Sequence, residues 1–192
     1  MQAADRIVTA AEMTEIDRRA QEEFGIPGML LMENAGQRAW SLLRDQISDS
    51  GSSATPPRIV FIAGNGNNGG DALVMARQAR IEGAAQVLII TVAEQLKGAV
   101  RDHWQILERL GARRIVWSDE QNAARAALQG ADWIVDGIAG TGLSGVLRES
   151  GASLVQEINQ SAARVVAVDV PSGLRDGYQA PDPVVRADIT IV

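Results

Sequence analysis

The stretch Ile59–Asp71, IVFIAGNGNNGGD, leaves this chain few ways to fold. Ile59–Ala63 is a short, unbroken apolar run, the pattern of a strand buried on both faces. Gly64, Gly66, Gly69 and Gly70 follow at once, and after Asp71 a helical pattern runs through Leu73, Ala76, Arg77 and Arg80 to about Glu82. The glycines therefore join a strand to a helix N-terminus, the junction at which backbone amides hold anions and dinucleotides.

Gly64, Gly66 and Gly69 satisfy the spacing G-x-G-x-x-G, a weak pattern by itself. Two features separate it from a redox cofactor site. Asp71 at the helix start suits the dipole but repels a pyrophosphate on the same amides. The acidic ribose-binding residue expected at the end of the second strand is missing, because that strand ends in Thr91. A phosphate-cradling loop fits no better, since no Lys-Ser or Lys-Thr pair follows the glycines. Asn67, Asn68 and Asp71 remain, a set of side-chain oxygens on bare backbone that can receive a cation together with a ligand.

In chain order, Thr9-x-x-Glu12 reads as a capping box, and Met13, Ile16, Ala20 and Phe24 predict a helix from about Ala10 to Phe24, closed by Gly25. Pro27 opens a second helix whose apolar positions Leu31, Ala35, Ala39, Leu42 and Leu43 continue to about Ile47. The pair is expected to cover one face or edge of a sheet, or to form a dimer contact. Ser48–Pro57 is a turn-rich connector. Further strands are predicted at Val87–Thr91, Arg114–Trp117, Asp132–Ile138, Arg164–Asp169 and Ala187–Val192. Helices are predicted at Gly98–Leu110, from Ser118 as cap to Leu128, and at Ala152–Asn159. The alternation specifies a Rossmann-like α/β fold, a three-layer sandwich with a mostly parallel doubly wound sheet and two extra N-terminal helices. Residues 1–192 are expected to be a single domain, truncated at its C-terminus because the chain stops inside its last strand.

Composition narrows the functions. A net charge of −6 with scattered arginines argues against a nucleic-acid surface. The chain has no cysteine, which excludes disulfides, zinc-thiolate sites and thiol catalysis and fits a reducing compartment. No apolar run is long enough to span a membrane, so a cytoplasmic location is the expectation. His103, the single histidine, lies mid-helix beside Trp104 without a partner motif and reads as structural. The four tryptophans are dispersed and read as core or rim.

In a doubly wound sheet ligands bind beyond the carboxyl ends of the strands, where the winding reverses. The first strand ends in GNGNNGGD, the fourth in Asp136-Gly-Ile-Ala-Gly-Thr-Gly-Leu143, and the fifth in Asp169-Val-Pro-Ser-Gly173. Three loops thus bring Asn68, Asp71, Asp136, Thr141, Asp169 and Ser172 into one neighbourhood. Each also has a structural reading: Asp71 as a helix-start acid, Asp136 and Asp169 as turn formers, Ser172 as a cap. Oxygen donors such as Asn68, Asp136 and Ser172 suit a hard cation, and a single carboxylate among them favours a monovalent one, potassium or sodium.

These motifs, in this order, resemble the N-terminal YjeF-type domain of the NAD(P)H-hydrate epimerase family. The likeness includes GIPGMLLMENAG (25–36), AGNGNNGGDALVMAR (63–77), DGIAGTGLSG (136–145), VAVDVPSGL (166–174) and the terminal ADIT (187–190). The resemblance implies an isomerase that interconverts the R and S epimers of hydrated NADH and NADPH, NAD(P)HX, so that an S-specific dehydratase can restore the cofactor. It implies that Asn67, Asn68, Gly69, Gly70 and Asp71 contact the hydrated dinucleotide. The same holds for Gly140, Thr141, Gly142, Leu143, Ser144, Gly145, Val146 and Asp169. It implies one potassium ion per subunit, held by Asn68, Asp136 and Ser172, and it turns the dinucleotide from redox cofactor into substrate. A dehydratase fused at the C-terminus and a homodimer are the partners it suggests.

Inversion at the hydrated carbon, a hemiaminal, needs the hydroxyl to leave and return on the other face, or the ring to open and close. Asp169 is the expected catalytic carboxylate, as a base or as the electrostatic partner of a cationic ring. Ala72 replaces a usual glycine of the family, Gly151 a usual tyrosine, and Arg175-Asp176 a usual acidic-glycine turn. The alternative is a non-catalytic ligand- or protein-binding module on the same fold, which predicts loss of Asp169 and of the cation ligands.

Overall fold

The computed structural model describes residues 8–49, 51, 55–175 and 177–192. Parts of the Ser48–Pro57 connector, and Asp176 of the predicted turn, lie outside the described residues. Six strands form one parallel sheet: β1 (Arg58–Ala63), β2 (Gln86–Thr91), β3 (Arg113–Val116), β4 (Trp133–Gly137), β5 (Arg164–Val168) and β6 (Ile189–Ile191). Their order is β3-β2-β1-β4-β5-β6. The chain winds outward from β1 to β3, then returns to place β4 on the other side of β1, in register from Ile59 against Trp133 to Ala63 against Gly137. The winding reverses between β1 and β4, so a crevice opens at their carboxyl ends.

The pleat sends alternate residues of β1 to opposite faces. Ile59, Phe61 and Ala63 join the core beneath α2 (Gly28–Asp49), α3 (Asn67–Ile81) and α4 (Gly98–Arg109). Val60 and Ile62 join the core beneath α5 (Gln121–Gln129) and α6 (Glu149–Gln160). The three-layer sandwich predicted from the alternation is the fold observed. At β1, residues 59–63 are at most 3% exposed, which is why that strand reads as an unbroken apolar run.

The N-terminal helices divide their roles. On α2, Ala39, Trp40 and Leu43 complete one face of the sheet, and the Trp40 indole N–H donates to Glu82 at 2.9 Å. α1 (Ala10–Glu22) has the predicted capping box, with Glu12 N–H donating to Thr9 Oγ1 and Thr9 N–H to Glu12 Oε2. Gly25, at φ +67°, turns the chain toward α2. Yet α1 buries none of its residues, and Met13, Ile16 and Phe24 are 47, 50 and 70% exposed.

Two local expectations are corrected. α3 begins at Asn67, five residues before Ala72, because Gly69 and Gly70 let the first turn approach the end of β1 and Met32 closely, and that packing outweighs the poor helix propensity of glycine. Ser118 is not a cap: its hydroxyl donates to Asp119, and α5 starts after Glu120 without a side-chain cap bond. His103, on the buried side of α4, lies near the Glu33–Arg77 ion pair with both ring nitrogens unpartnered, and burial holds its proton affinity below the ordinary value. The tryptophans are core and rim residues, three of them under the guanidinium groups of Arg114, Arg125 and Arg164.

Candidate functional site

The three glycine-rich loops meet at the crevice beyond β1, β4 and β5. Gly66 is the N-cap of α3 and has no side chain to occupy the amides that follow. The N–H groups of Asn67, Asn68 and Gly69 thus stand at the start of α3 without intrahelical partners, an anion-binding arrangement. Asp71 lies one turn further in. It is not a helix-start acid, so the charge expected to repel a phosphate there is displaced from those amides.

Asn68 is 8% exposed and points its carboxamide across the crevice, with Nδ2 donating to Val168 O at 2.7 Å. A Cβ on Gly140 would fall 2.2 Å from Asn68 Oδ1, so the β4–α6 loop passes directly over this carboxamide. Asp136, at the end of β4, and Ser172, after β5, are fully buried. Asp136 accepts from Ser172 Oγ at 2.6 Å, Ser172 N–H at 2.8 Å and Ile138 N–H at 3.2 Å. Ser172 Oγ also lies 2.9 Å from Ala139 O. All three donors to Asp136 are neutral. Burial pushes its carboxyl up to about 6, against the opposing pull of these hydrogen bonds.

Asp169 has the most constrained backbone in the site. Among the described residues it is the one non-glycine with positive φ, +68°. It forms the apex of a three-residue turn closed by Val170 N–H to Val168 O at 2.9 Å. Its own N–H donates to Ile191 O at 2.8 Å, so β6 holds the turn from beneath, and Oδ2 accepts from Thr141 N–H at 2.9 Å. Such a conformation stores on the order of 1–3 kcal/mol and persists where surrounding contacts over-determine it, commonly at functional sites. A local turn-forming role does not explain it, because the side chain bonds a loop 28 residues away.

The half-buried carboxyl of Asp71 is pushed up to about 7, first by burial and then by the charges of Asp169 and Asp17. Its ordinary value is near 3.8, so between about pH 4 and 7 the folded chain binds a proton that the unfolded chain releases. Stability from this group is greatest at low pH and is lost as pH rises through 7. Asp71→Asn is expected to be more stable than the parent chain at pH 8 by about 2 kcal/mol, roughly half the full shift because the carboxyl is partly solvated, and the gain should vanish near pH 4. Urea denaturation of both chains across that range checks this; a pH-independent difference would count against it.

Of the sequence-predicted residues, Asp136 and Ser172 are buried and hydrogen-bonded to one another, Asn68 is buried and bonded to Val168 at the end of β5, and Asp169 and Thr141 are joined by a hydrogen bond. Gly142, Leu143, Ser144, Gly145 and Val146 continue the overlying loop, which is half-buried to exposed. Asp17 and Gln21 of α1 do not stand out in the sequence. They line a cavity of about 300 Å³ with Asp71, Met29, Met32 and Ala35. No sequence pattern marks them, because α1's approach to α3 is a tertiary event. Another cavity, about 280 Å³, lies beside Arg58 and Gln86 at the amino ends of the strands, the wrong end of the sheet for the crevice.

The family described as YjeF-related protein N-terminus matches residues 29–192. The chain belongs to this family. Members of the YjeF-related family similar to it include the bifunctional NAD(P)H-hydrate repair enzyme Nnr of Moorella thermoacetica, 36% identical over 189 residues, covering 96% of this chain and 35% of that protein. The NAD(P)H-hydrate epimerases of Rhodopirellula baltica and Pirellula staleyi are 33% and 34% identical, each over 96% of this chain and over 72% and 80% of their own lengths. The chain thus spans about a third of the length of the bifunctional relative and most of the length of the two epimerases. The crystal structure of the yeast protein ynu0 superimposes with a TM-score of 0.83 at 24% identity, covering 96% of this chain and 79% of that one, a match of fold. Among the described residues no helix is long and apolar enough to cross a membrane.

Proposed function

We propose that this chain is an NAD(P)H-hydrate epimerase domain, interconverting the R and S epimers of hydrated NADH and NADPH. The observation that carries the reading is Asp169, a carboxylate held in a left-handed turn at the switch-point crevice and fixed by Thr141 N–H. The names of its family relatives support the substrate class. In this reading the free amides of Asn67, Asn68 and Gly69 take the pyrophosphate, and Gly70, Asp71 and the loop Gly140–Val146 enclose the rest of the dinucleotide. Asp169 moves the proton at the hemiaminal hydroxyl, or stabilises the positive ring left when that hydroxyl departs.

The residues present fit one potassium ion per subunit. Asp136 is a fully buried carboxylate bonded to Ser172, its hydrogen-bond donors are all neutral, and Asn68 is buried at the same crevice, a setting in which a monovalent cation would balance the charge. Bound there, such an ion supplies positive charge that draws the loops together and offsets the substrate phosphates.

The alternative of a non-catalytic module predicts that Asp169 and the cation ligands are lost, and all four residues are present. The test is proton NMR of mixed R and S NADHX with the protein in potassium and in choline buffers. Exchange between the epimers should be faster with protein and slower in choline. Binding without acceleration in either buffer would favour the non-catalytic module. A cytoplasmic setting is supported by the cysteine-free sequence, and a partner dehydratase, fused or separate, by the bifunctional relative. A homodimer is supported by the apolar stripe of α1, left uncovered at Met13, Ile16 and Phe24. Light scattering of the same sample should then give twice the 20.4 kDa of one chain, and a clean monomer would exclude that role for α1.

A further inference from the structure

We infer that the cavity between α1, α2 and the start of α3 is the seat of the hydrated nicotinamide ring, with Asp17 and Gln21 of α1 as the residues that recognise it. This rests on the epimerase reading. At about 300 Å³ the cavity is too small for a dinucleotide but takes one six-membered ring with its carboxamide. Its lining is apolar at Met29, Met32 and Ala35 and polar at Asp17, Gln21 and Asp71. Gln21 is held by its own Nε2, which donates to Asp17 O at 3.1 Å, while Oε1 lies over Gly28, where an added Cβ would meet it at 2.8 Å. Oε1 is thereby positioned as an acceptor for an amide N–H.

Electrostatics decides which half of the dinucleotide enters. The charge of Asp17 reaches the Asp71 carboxyl, and the neighbouring arginines of α1 are already paired, Arg18 with Glu15 and Glu22 and Arg19 with Glu23. The carboxylate of Asp17, joined by that of Asp71 when it is ionised, repels a phosphate, so the pyrophosphate is directed to the amides at the start of α3, next to this cavity. Adenine can donate its amino hydrogens to such a rim but stays neutral and gains no charge stabilisation there. The reacting ring does gain. When its carbon–oxygen bond breaks, the electron pair leaves with oxygen, which takes a proton from a carboxyl beside the cavity, where the charge of Asp169 reaches Asp71, and departs as water. The ring nitrogen lone pair then forms a double bond to the same carbon, and the ring becomes positive. Water adds to the opposite face and returns the proton to the carboxylate. Negative charge arranged around the ring beforehand therefore stabilises the charged species more than the neutral substrate.

The test uses protein labelled with ¹³C at the methionine methyls, titrated with hydrated reduced nicotinamide mononucleotide and, separately, with ADP-ribose. Met29 and Met32 lie in the cavity, and Met75, fully buried in the core, is the internal control. The nicotinamide half should shift Met29 and Met32 but not Met75, and ADP-ribose should shift none of them. Asp17→Asn should lower kcat for NADHX about fivefold with KM changed by less than about twofold, Asp17→Glu should restore kcat, and affinity for ADP-ribose should stay the same. Asp17 is exposed on a surface helix, so both variants will fold. A response of Met29 and Met32 to ADP-ribose alone would put adenine in the cavity and overturn the inference. Silence at both methyls while NADHX is epimerised would place the ring elsewhere, and an unchanged kcat in Asp17→Asn would remove Asp17 from recognition. If the parent chain does not epimerise NADHX at all, the underlying functional reading fails first and this inference fails with it.

Discussion

Asp169→Asn will slow epimer exchange by about 10²- to 10⁴-fold, the usual contribution of a positioned acid or base, while leaving the chain folded. Asparagine is the informative replacement because the position has φ +68°, a conformation asparagine tolerates better than most side chains. Its carboxamide oxygen can still accept from Thr141 N–H, so the contact made by Oδ2 at 2.9 Å is kept and only the charge and the proton-accepting capacity are removed. Alanine would add the strain of a left-handed β-carbon without a polar group to offset it, mixing about 1 kcal/mol of backbone destabilisation into the result. Exchange rates measured by proton NMR, alongside thermal melts of both chains, separate the two effects. Retention of more than a tenth of the parent rate would mean that Asp169 is neither the base nor the partner of a positive ring, and the proton would have to be carried by Asp71 or by water.

Gly64→Ala will destabilise the chain by about 3–5 kcal/mol, a large part of the roughly 5–15 kcal/mol usual for a domain. A Cβ at this position would lie 1.9 Å from the carbonyl oxygen of Ile138. The obstructing atom is backbone, and it cannot rotate away as a side chain would. Gly64 N–H also donates to Gly137 O at 3.0 Å, so moving the strands apart to admit the methyl group breaks the last ladder bond between β1 and the end of β4. The control is two residues away. A β-carbon on Gly66 would meet no heavy atom within 4 Å, and φ there is −98°, so Gly66→Ala should change stability by less than about 1 kcal/mol. Urea unfolding of the two variants should therefore differ by several kcal/mol. Equal stabilities would show that β1 and β4 can separate freely at the crevice, and the close approach of their loops would lose its structural role.

Much of this architecture is legible in the order of residues alone. The five apolar residues before the glycines identify a strand buried on both faces, and the alternation that follows identifies the doubly wound sheet. The capping box at Thr9 and Glu12 and the glycine at 25 mark both ends of α1. These features are local: periodicity, caps and turns depend on residues within a few positions of one another. The start of α3 escapes such reading for a related reason. Asn-Asn-Gly-Gly has poor intrinsic helix propensity, and only contact with Met32 and the end of β1 makes it helical.

The candidate site divides along the same line. That Asn68, Asp136, Asp169 and Ser172 gather follows from their places at the ends of three parallel strands, since parallel order brings all carboxyl ends to one edge. Side-chain identity and strand order are enough for that. The sequence could not determine the left-handed turn at Asp169, its bond to Thr141, or the neutral cage around Asp136, because each depends on a residue far along the chain, Ile191, Thr141 and Ser172 respectively. It also could not place Asp17 and Gln21 beside Asp71. The periodicity of α1 defines an apolar stripe, but which neighbour each face of a helix meets is decided when helices pack, and here the polar edge of α1 meets the cavity while the stripe stays uncovered.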